Sequence, residues 1–276
     1  MKSFTERFSQ SLEKRDSVLL VGLDPAISEQ RNKSVISPKY FQNADVNEAR
    51  LNFCFDVLGS SAQYAIAAKP NEQYVFGLTL EQHQKLAENI REKGLLSVYD
   101  CKLGDIGDTS ESKLFWVHKA GYDAITVHTQ PGNLEQMVRT AHSYDPPIGI
   151  IALTLMSNPE AVKYFKESSW KGKPLYLAIA EDVKNTGADG SVVGATGHVT
   201  EDEIAKIRET IGEDKVMLVP GVGAQAGDPD KIIRSGGKNV LINVGRDLIY
   251  SENPGEKARE YNNLFNNLRT KNRPRN

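Results

Sequence analysis

Eight short apolar runs, rich in β-branched residues, recur along the chain and are separated by longer amphipathic or polar stretches. Apolar runs of about 4–8 residues that are bounded by turn-forming residues predict β-strands. The runs span 17–24, 63–70, 95–102, 124–129, 148–155, 191–197, 216–223 and 239–246. The hydrophobic pattern therefore predicts about eight strands, distributed over most of the chain.

Helical periodicity fills several of the intervals between these strands. The helical segments often have Ser, Thr or Asn near their start and Gly near their end, which are typical boundary residues. They span 79–94, 108–121, 133–142 and 200–212. Repeated strand-helix alternation predicts a (β/α)8 TIM barrel, with its active site at the C-terminal ends of the strands. We expect a single domain over 1–276 with a frayed tail at about 270–276; an open doubly wound sheet is the alternative.

Polar side chains follow the predicted strand ends, where a barrel places its active site. The third strand runs into "YDCKLGDIGDT" (99–109), which holds Asp100, Lys102, Asp105 and Asp108. Because side chains alternate along a strand, Asp100 and Lys102 should share one face, while Cys101 points to the other. A lysine beside an aspartate at a strand end indicates a site; the alternative is a structural ion pair. We expect Asp108 to cap the following helix.

Glycine-rich turns follow the last two strands, in "PGVGAQAGDP" (220–229) and "NVGRDLIY" (243–250). Small residues let backbone N–H groups approach an anion, and these two loops form the usual phosphate site of a TIM barrel. Arg246 could hold phosphate oxygens in a bidentate fashion. One alternative is the dinucleotide fingerprint G-x-G-x-x-A at Gly221, Gly223 and Ala226, which lacks the acidic partner expected about 20 residues later. The other is a pair of tight turns with Arg246 in a surface ion pair.

Composition narrows the class of protein further. The 276 residues are 39% hydrophobic and 25% charged, enough to bury a full core, and the formal net charge of −2 gives no basic surface for nucleic acid. Only two cysteines occur, the N-terminal residues lack an apolar signal core, and the apolar runs are too short to span a bilayer. We therefore expect a cytoplasmic protein that binds neither nucleic acid nor a membrane.

The motifs together resemble one enzyme family. "DCKLGDIGDT" matches the D-x-K-x-x-D-I-x-x-T signature of orotidine 5′-monophosphate decarboxylase. "VGLDP" (21–25), "AAKPN" (67–71), "LMSNP" (155–159), "PGVGAQAGD" (220–228) and "VGR" (244–246) resemble its other blocks, in the same order. Ala226 stands where the family usually has glycine. Related metal-dependent sugar-phosphate barrels share the first block, but an acidic residue near their second strand helps to hold the metal. Lys69 at the corresponding strand end favours the metal-free orotidylate enzyme.

The resemblance implies decarboxylation of orotidine 5′-monophosphate to uridine 5′-monophosphate and CO2 without a metal or cofactor. It implies that Lys102 stabilises the carbanion at C6 and then protonates it, and that the catalytic residues are Lys102, Asp100, Asp105 and Lys69. It also implies a homodimer with shared active sites, in which Asp105, Ile106 and Thr109 reach the neighbouring subunit's site. The substrate-binding residues implied in this way are Asp24, Ile106, Thr109, Ser157, Gln225, Gly245 and Arg246.

Two other functions remain open at this point. One is a metal-dependent sugar-phosphate lyase or decarboxylase on the same barrel, and the other is a non-catalytic nucleotide-binding module. The segments 26–50 and 157–190 are long for loops, and their sequences predict no clear role.

Overall fold

The computed structural model describes residues 2–223 and 227–272 and contains a closed eight-stranded parallel barrel. All eight predicted strands are present, each within a few residues of its predicted limits. The barrel strands are β1 (Leu19–Leu23), β2 (Ala67–Pro70), β3 (Leu96–Leu103), β4 (Ala124–Val127), β5 (Gly149–Leu155), β8 (Gly190–Val193), β9 (Val216–Val222) and β10 (Val240–Val244).

The pairing of β1 excludes the open-sheet alternative. Leu20 on β1 is paired with Ala67 on β2 on one side and with Asn243 on β10 on the other. Neighbours around the barrel follow chain order, and β5 pairs directly with β8. The chain therefore folds as the predicted (β/α)8 TIM barrel, and the C-terminal ends of all eight strands meet at one end of it.

Helices surround the barrel. They are α1 (Phe4–Arg15), α2 (Val46–Ser61), α3 (Glu72–Val75), α4 (Leu80–Glu92), α5 (Gly107–Ala120), α6 (Leu134–His142), α7 (Leu175–Thr186), α8 (Glu201–Ile211), α9 (Pro229–Ser235), α10 (Arg246–Ile249) and α11 (Pro254–Lys271). Ser3, Asp45, Thr79 and Thr200 begin α1, α2, α4 and α8 with reciprocal capping boxes. The four predicted helices are confirmed as α4, α5, α6 and α8.

The predicted cap of α5 was wrong. The helix begins at Gly107, so the capping position belongs to Ile106 and Asp108 lies inside the first turn. Asp108 can still interact favourably with the positive end of the helix dipole there. At the other end of the chain, α11 continues to Lys271, and residues 273–276 of the predicted tail lie outside the described residues.

The two segments that the sequence left without a role contain local structure of their own. Segment 26–50 includes a 3-10 helix, Pro38–Phe41, and the start of α2. Segment 157–190 includes a π-helical turn, Val162–Lys166, and a small hairpin of β6 (Ser169–Trp170) and β7 (Lys173–Pro174) before α7. Both segments leave the barrel at its C-terminal end, where they can border the site.

The N-terminal end of the barrel is closed by α1. Phe4 and Phe8 are fully buried there. Gly149 at the start of β5 allows this packing, because a Cβ atom at that position would lie 2.5 Å from Phe4 Cγ. Among the described residues, no helix combines the length and the apolar character needed to cross a membrane.

Candidate active site

A cavity of about 390 Å³ lies at the C-terminal ends of the strands. This is the position that the TIM barrel prediction gave for the active site. Seven of the predicted site residues line the cavity: Asp24, Lys69, Asp100, Lys102, Ser157, Gly245 and Arg246.

Lys69 on β2 and Asp100 with Lys102 on β3 form a charged cluster in this cavity. The Lys69 ammonium group donates to Asp100 Oδ2, and Lys102 Nζ lies 2.7 Å from Asp100 Oδ1. The hydroxyl of Thr126 on β4 donates to the same Oδ1 at 2.9 Å. Lys69 and Asp100 are buried, whereas 40% of the Lys102 side chain is exposed. Asp100 therefore joins one buried cation to one that is accessible from the cavity.

The two lysines keep Asp100 ionised. Burial by itself would raise the pKa of Asp100, but attraction to the Lys69 and Lys102 ammonium groups outweighs it and holds that pKa well below its usual range. Burial would likewise lower the pKa of Lys69, but the nearby carboxylates of Asp100 and Asp24 raise it above its ordinary value. At neutral pH the cluster therefore contains a carboxylate at Asp100 and an ammonium group at Lys69.

The backbone at Lys102 departs from a regular strand. Lys102 has a φ of +52°, and the pairing between β3 and β4 shifts register between Tyr99 and Leu103. The Lys102 N–H donates to Thr126 Oγ1 at 3.0 Å. A residue other than glycine adopts this left-handed conformation at a cost of about 1–3 kcal/mol. Asp100 and Lys102 therefore meet as predicted, but through a local kink instead of regular alternation.

Cys101 turns away from the charged cluster, as the sequence predicted. It is not among the described residues that line the cavity, and its Sγ lies 3.8 Å from the carbonyl oxygen of Thr126. Burial raises the pKa of the Cys101 thiol to about 12. The thiol is therefore protonated at neutral pH and is a poor nucleophile.

Asp24, Ser157, Gly245 and Arg246 reach the cavity from three other strand ends. Asp24 directly follows β1, and Gly245 directly precedes Arg246, the first residue of α10. A Cβ atom at Gly245 would lie 3.9 Å from Asp24 Oδ2, so the Asp24 carboxylate lies near the start of α10. Ser157 follows β5 and packs against Gly194, where a Cβ atom would lie only 2.7 Å from Ser157 Cα.

Three predicted residues lie outside the cavity. Asp105 and Ile106 lie in the connection from β3 to α5, Thr109 lies in the first turn of α5, and Ile106 is 65% exposed. Asp105 Oδ1 accepts from the Ile106 N–H at 2.8 Å, and within the described residues the carboxylate makes no ion pair with either lysine of the charged cluster. Asp105 and Thr109 instead line a separate depression that also contacts Lys102. A fourth predicted residue, Gln225, lies outside the described residues.

The family model for the "Orotidine 5′-phosphate decarboxylase / HUMPS family" matches residues 19–261. The match contains all eight barrel strands and every residue of the charged cluster. The chain belongs to this family. Relatives named orotidine 5′-phosphate decarboxylase include one from Cupriavidus metallidurans, 34% identical over 265 residues that cover 90% of each chain. Another, from Ralstonia pickettii, is 32% identical over 269 residues that cover 92% of each chain.

Solved structures of the orotidine 5′-phosphate decarboxylase family share the barrel. Leishmania donovani OMP decarboxylase has a TM-score of 0.78 and 25% identity, and the match covers 98% of this chain and 100% of that chain. Leishmania donovani UMP synthase has a TM-score of 0.79 and 28% identity, covering 98% of this chain. This chain spans 57% of the UMP synthase chain.

Several residues that line the cavity of this family member were not predicted as site residues, and they include the polar residues Arg31, Thr126 and Asn243. Thr126 and Asn243 are polar residues inside otherwise apolar strands, and that signal could have found them. Asn243 Oδ1 is buried without a hydrogen-bond partner among the described residues, so it offers an acceptor in the cavity. Arg31 comes from segment 26–50, where no periodicity predicts the path of the chain.

The described residues contain no group of three or more His, Cys, Asp and Glu side chains placed to share a metal ion. Asp100, the deepest carboxylate of the site, instead accepts hydrogen bonds on both oxygens, from Lys69, Lys102 and Thr126. A carboxylate between two ammonium groups is a poor ligand for a metal cation, because the cation would be repelled by both.

Proposed function

We propose that this chain converts orotidine 5′-phosphate to uridine 5′-phosphate and CO2, the last step of de novo pyrimidine nucleotide synthesis, without a metal or cofactor. The observation that supports this most strongly is the charged cluster of Lys69, Asp100 and Lys102 inside the cavity of a chain that belongs to this family. We also propose a cytoplasmic location. Cys54 and Cys101 do not form a disulfide bond, as is usual for cysteines in the reducing cytoplasm.

The chemical problem is the charge that develops on C6 of the pyrimidine. When the bond between C6 and the carboxylate breaks, its electron pair stays on C6 in the plane of the ring and is not conjugated with the ring carbonyls. The protein must therefore stabilise that charge through space, with positive charge already in place. The Lys102 ammonium group fits this requirement because it reaches the cavity and is held by Asp100.

Lys102 then supplies the proton. Its Nζ–H bond breaks, the proton goes to C6, and uridine 5′-phosphate and CO2 are the products. The neutral amine regains its proton from solvent, which the 40% exposure of the side chain permits. Asp100 and Lys69 act as fixed charges: Asp100 orients Lys102, and Lys69 balances the negative charge of Asp100.

The remaining cavity residues suit the other parts of the nucleotide. We assign the ribose hydroxyls to Asp24 and Lys69, the pyrimidine edge to Ser157, and the phosphate to Gly245 and Arg246, with Gln225 assigned to the phosphate from the family motif. Arg246 supports the phosphate assignment because a guanidinium group matches phosphate oxygens in a bidentate manner. Phosphate binding away from C6 can provide energy to orient the reacting ring.

We further propose a two-fold dimer with shared sites. Asp105, Ile106 and Thr109 would contact the substrate of the partner subunit. The exposure of Ile106 supports this arrangement, as does the position of Asp105 outside its own cavity, with no ion pair to either lysine of the charged cluster among the described residues.

The second candidate is a metal-dependent sugar-phosphate enzyme. It needs a test because the matching family model is named for a second group, HUMPS, beside orotidine 5′-phosphate decarboxylase. Turnover of orotidine 5′-phosphate can be followed by ultraviolet absorbance, with and without excess EDTA. We expect the same rate in both. Loss of activity in EDTA that returns with added divalent metal would support the second candidate, and tight binding of uridine 5′-phosphate without any turnover would indicate a binding module.

A further inference from the structure

Tyr250 connects the helix that begins with Arg246 to the strand end that carries Asp24. Tyr250 directly follows α10, and its N–H donates to the carbonyl oxygen of Arg246 at 3.3 Å. Its hydroxyl donates to the carbonyl oxygen of Asp24 at 2.7 Å and accepts from the N–H of Ala26 at 2.8 Å. One phenol group thus fixes the backbone on both sides of Pro25.

Arg31 reinforces the same connection from segment 26–50. Its guanidinium group lies 4.9 Å from the ring centre of Tyr74 and 5.4 Å from that of Tyr250. It donates to the carbonyl oxygens of Asp24 at 3.2 Å and Ser34 at 3.0 Å. Tyr74 belongs to α3, which follows the strand of Lys69. Arg31 therefore joins the ends of three neighbouring strands, β2, β1 and β10.

These contacts fix a residue that faces the cavity. The backbone carbonyl oxygen of Asp24 accepts hydrogen bonds from Tyr250 and Arg31. Its side-chain carboxylate points toward Gly245 and helps to stabilise the positive charge of Lys69. The Asp24 backbone therefore has little freedom to move relative to α10. Arg31 also lines the cavity, although no pattern in the sequence predicted a role for it.

We propose that Arg31 and Tyr250 are positioning residues that hold Asp24 in register with α10. When a phosphate is bound at Gly245 and Arg246, this connection places the Asp24 carboxylate against the ribose. Binding energy from the phosphate end then contributes to orienting the sugar and the reacting ring. The inference rests on the proposed function and names residues that determine how its substrate is held.

A double-mutant cycle tests the proposal. Tyr250→Phe removes the hydroxyl but keeps the ring, which stacks on Phe53 with centroids 5.3 Å apart. The loss of its three hydrogen bonds, with Asp24, Ala26 and Arg31, should lower kcat/KM for orotidine 5′-phosphate about tenfold. In an Asp24→Ala background no carboxylate remains to be positioned, so the same change should lower kcat/KM less than about twofold. Arg31→Met should behave in the same way.

Tyr40→Phe is the matched control. Tyr40 packs edge-on against Phe53 in the same aromatic group, but its hydroxyl donates to Asp56 at 2.8 Å. Tyr40→Phe should leave kcat/KM unchanged when it is added to the wild-type protein and when it is added to Asp24→Ala. Equal losses from Tyr250→Phe with and without the Asp24 side chain would overturn the proposal, because a purely structural role acts equally in both. A variant that fails to fold would be recognised from its unfolding temperature, and the remaining variant then decides the outcome.

The same cycle measured on the affinity for uridine 5′-phosphate separates this inference from the proposed function. If the wild-type protein binds uridine 5′-phosphate without turnover, the proposed function is wrong, and non-additive affinities still support the positioning role. If the affinities are additive while turnover is normal, only the positioning role is wrong. Absence of both binding and turnover overturns both.

Discussion

The two ends of the barrel each hold an aspartate beside a cation, but the two aspartates have different surroundings. At the N-terminal end, Asp123 accepts from the N–H of Ser97 at 2.8 Å, from the Ser97 hydroxyl at 2.9 Å and from Arg7. Arg7 also donates to the carbonyl oxygen of Pro147 at 2.7 Å. Arg7 and Asp123 thereby connect α1 to the starts of β3, β4 and β5, and their hydrogen bonds hold these parts of the fold together.

At the C-terminal end, the hydrogen-bond partners of the Asp100 carboxylate within the described residues are all side chains: those of Lys69, Lys102 and Thr126. Within the described residues, Lys102 Nζ donates one hydrogen bond, to Asp100, although an ammonium group has three hydrogens. The other N–H groups of Lys102 can therefore donate to a ligand in the cavity, which Lys102 lines. The comparison indicates that unused hydrogen-bond donors beside a cavity, more than the presence of an ion pair, distinguish a cluster suited to catalysis from one that holds the fold together.

Among the variants proposed here, Lys102→Ala should cause the largest loss of activity, because it removes a member of the C-terminal charged cluster. Loss of both the fixed charge and the proton donor should lower kcat by about 10⁴-fold or more. Affinity for uridine 5′-phosphate should remain, because the phosphate and ribose contacts lie on other strands. Steady-state kinetics and calorimetry measure the two quantities. Cys101→Ala, the neighbouring residue on the same strand, is the control and should lose only a few-fold; activity of Lys102→Ala within about tenfold of wild type would remove the proton-donor assignment.

Asp105 offers a way to test the proposed dimer and its shared active sites. Lys102→Ala and Asp105→Ala should each be inactive alone, but a mixed dimer would contain one site with both residues intact. Random reassortment makes about half of the dimers mixed, so activity should recover to roughly a quarter of wild type. The two variants are unfolded and refolded together, with each refolded alone as the control. No recovery in a sample with demonstrated mixed dimers would place Asp105 in its own subunit's site.

Arg246→Ala should have a smaller effect that falls mainly on binding. Removing a charged donor to phosphate should raise KM by about 10–100-fold, and added guanidinium ion should restore part of the loss. Arg259→Ala is the control, because Arg259 pairs with Glu256 on the exposed face of α11. If KM for the Arg246 variant equals that of wild type, the phosphate assignment is wrong.

The difference between the two ends also explains what could be predicted from the sequence. Asp100 and Lys102 are two residues apart, so an unusual local pattern at a predicted strand end revealed them. Arg7 and Asp123 are 116 residues apart, and nothing near either residue indicates the other. Local patterns therefore identified the eight strands and the C-terminal cluster, whereas contacts between distant segments needed the folded chain.

Backbone detail was the second limit. The left-handed conformation at Lys102 depends on Thr126 from the next strand, and the position of Arg31 depends on the rings of Tyr74 and Tyr250. Both are consequences of tertiary packing that overrides local preference. The capping error at Asp108 is local instead: Gly107, with a φ of +48°, begins the helix one residue before Asp108.

Arg7→Met should affect stability and spare activity, in contrast to the C-terminal variants. It removes the guanidinium group but keeps an apolar side chain over Phe4, and the lost half-buried ion pair should cost about 1–3 kcal/mol of the free energy of unfolding. Urea unfolding measures the stability, and kcat and KM measured well below the transition should equal those of wild type. Reduced kcat in a protein of unchanged stability would contradict the division of roles between the two ends.

Replacing His142 should have the smallest effect, a pH-dependent change in stability. Because His142 lies at the N-terminal end of the barrel, this change should not alter activity. His142 Nε2 lies 2.8 Å from Asp189 Oδ2, next to the start of β8, and the hydrogen bond to Asp189 raises the pKa of His142 above its ordinary value of 6.5. A raised folded-state pKa means that this contribution to stability is fully present below pH 6.5 and is lost as the pH rises through the folded-state pKa. Because 36% of the His142 side chain is exposed, solvent screening limits the gain to about 0.5 kcal/mol. The difference in unfolding free energy between wild type and His142→Gln should therefore be larger at about pH 5.5 than at about pH 9, with kcat unchanged between the two proteins at each pH. A difference that stays constant or grows with pH would show that the charged form of His142 does not stabilise the N-terminal end of the barrel.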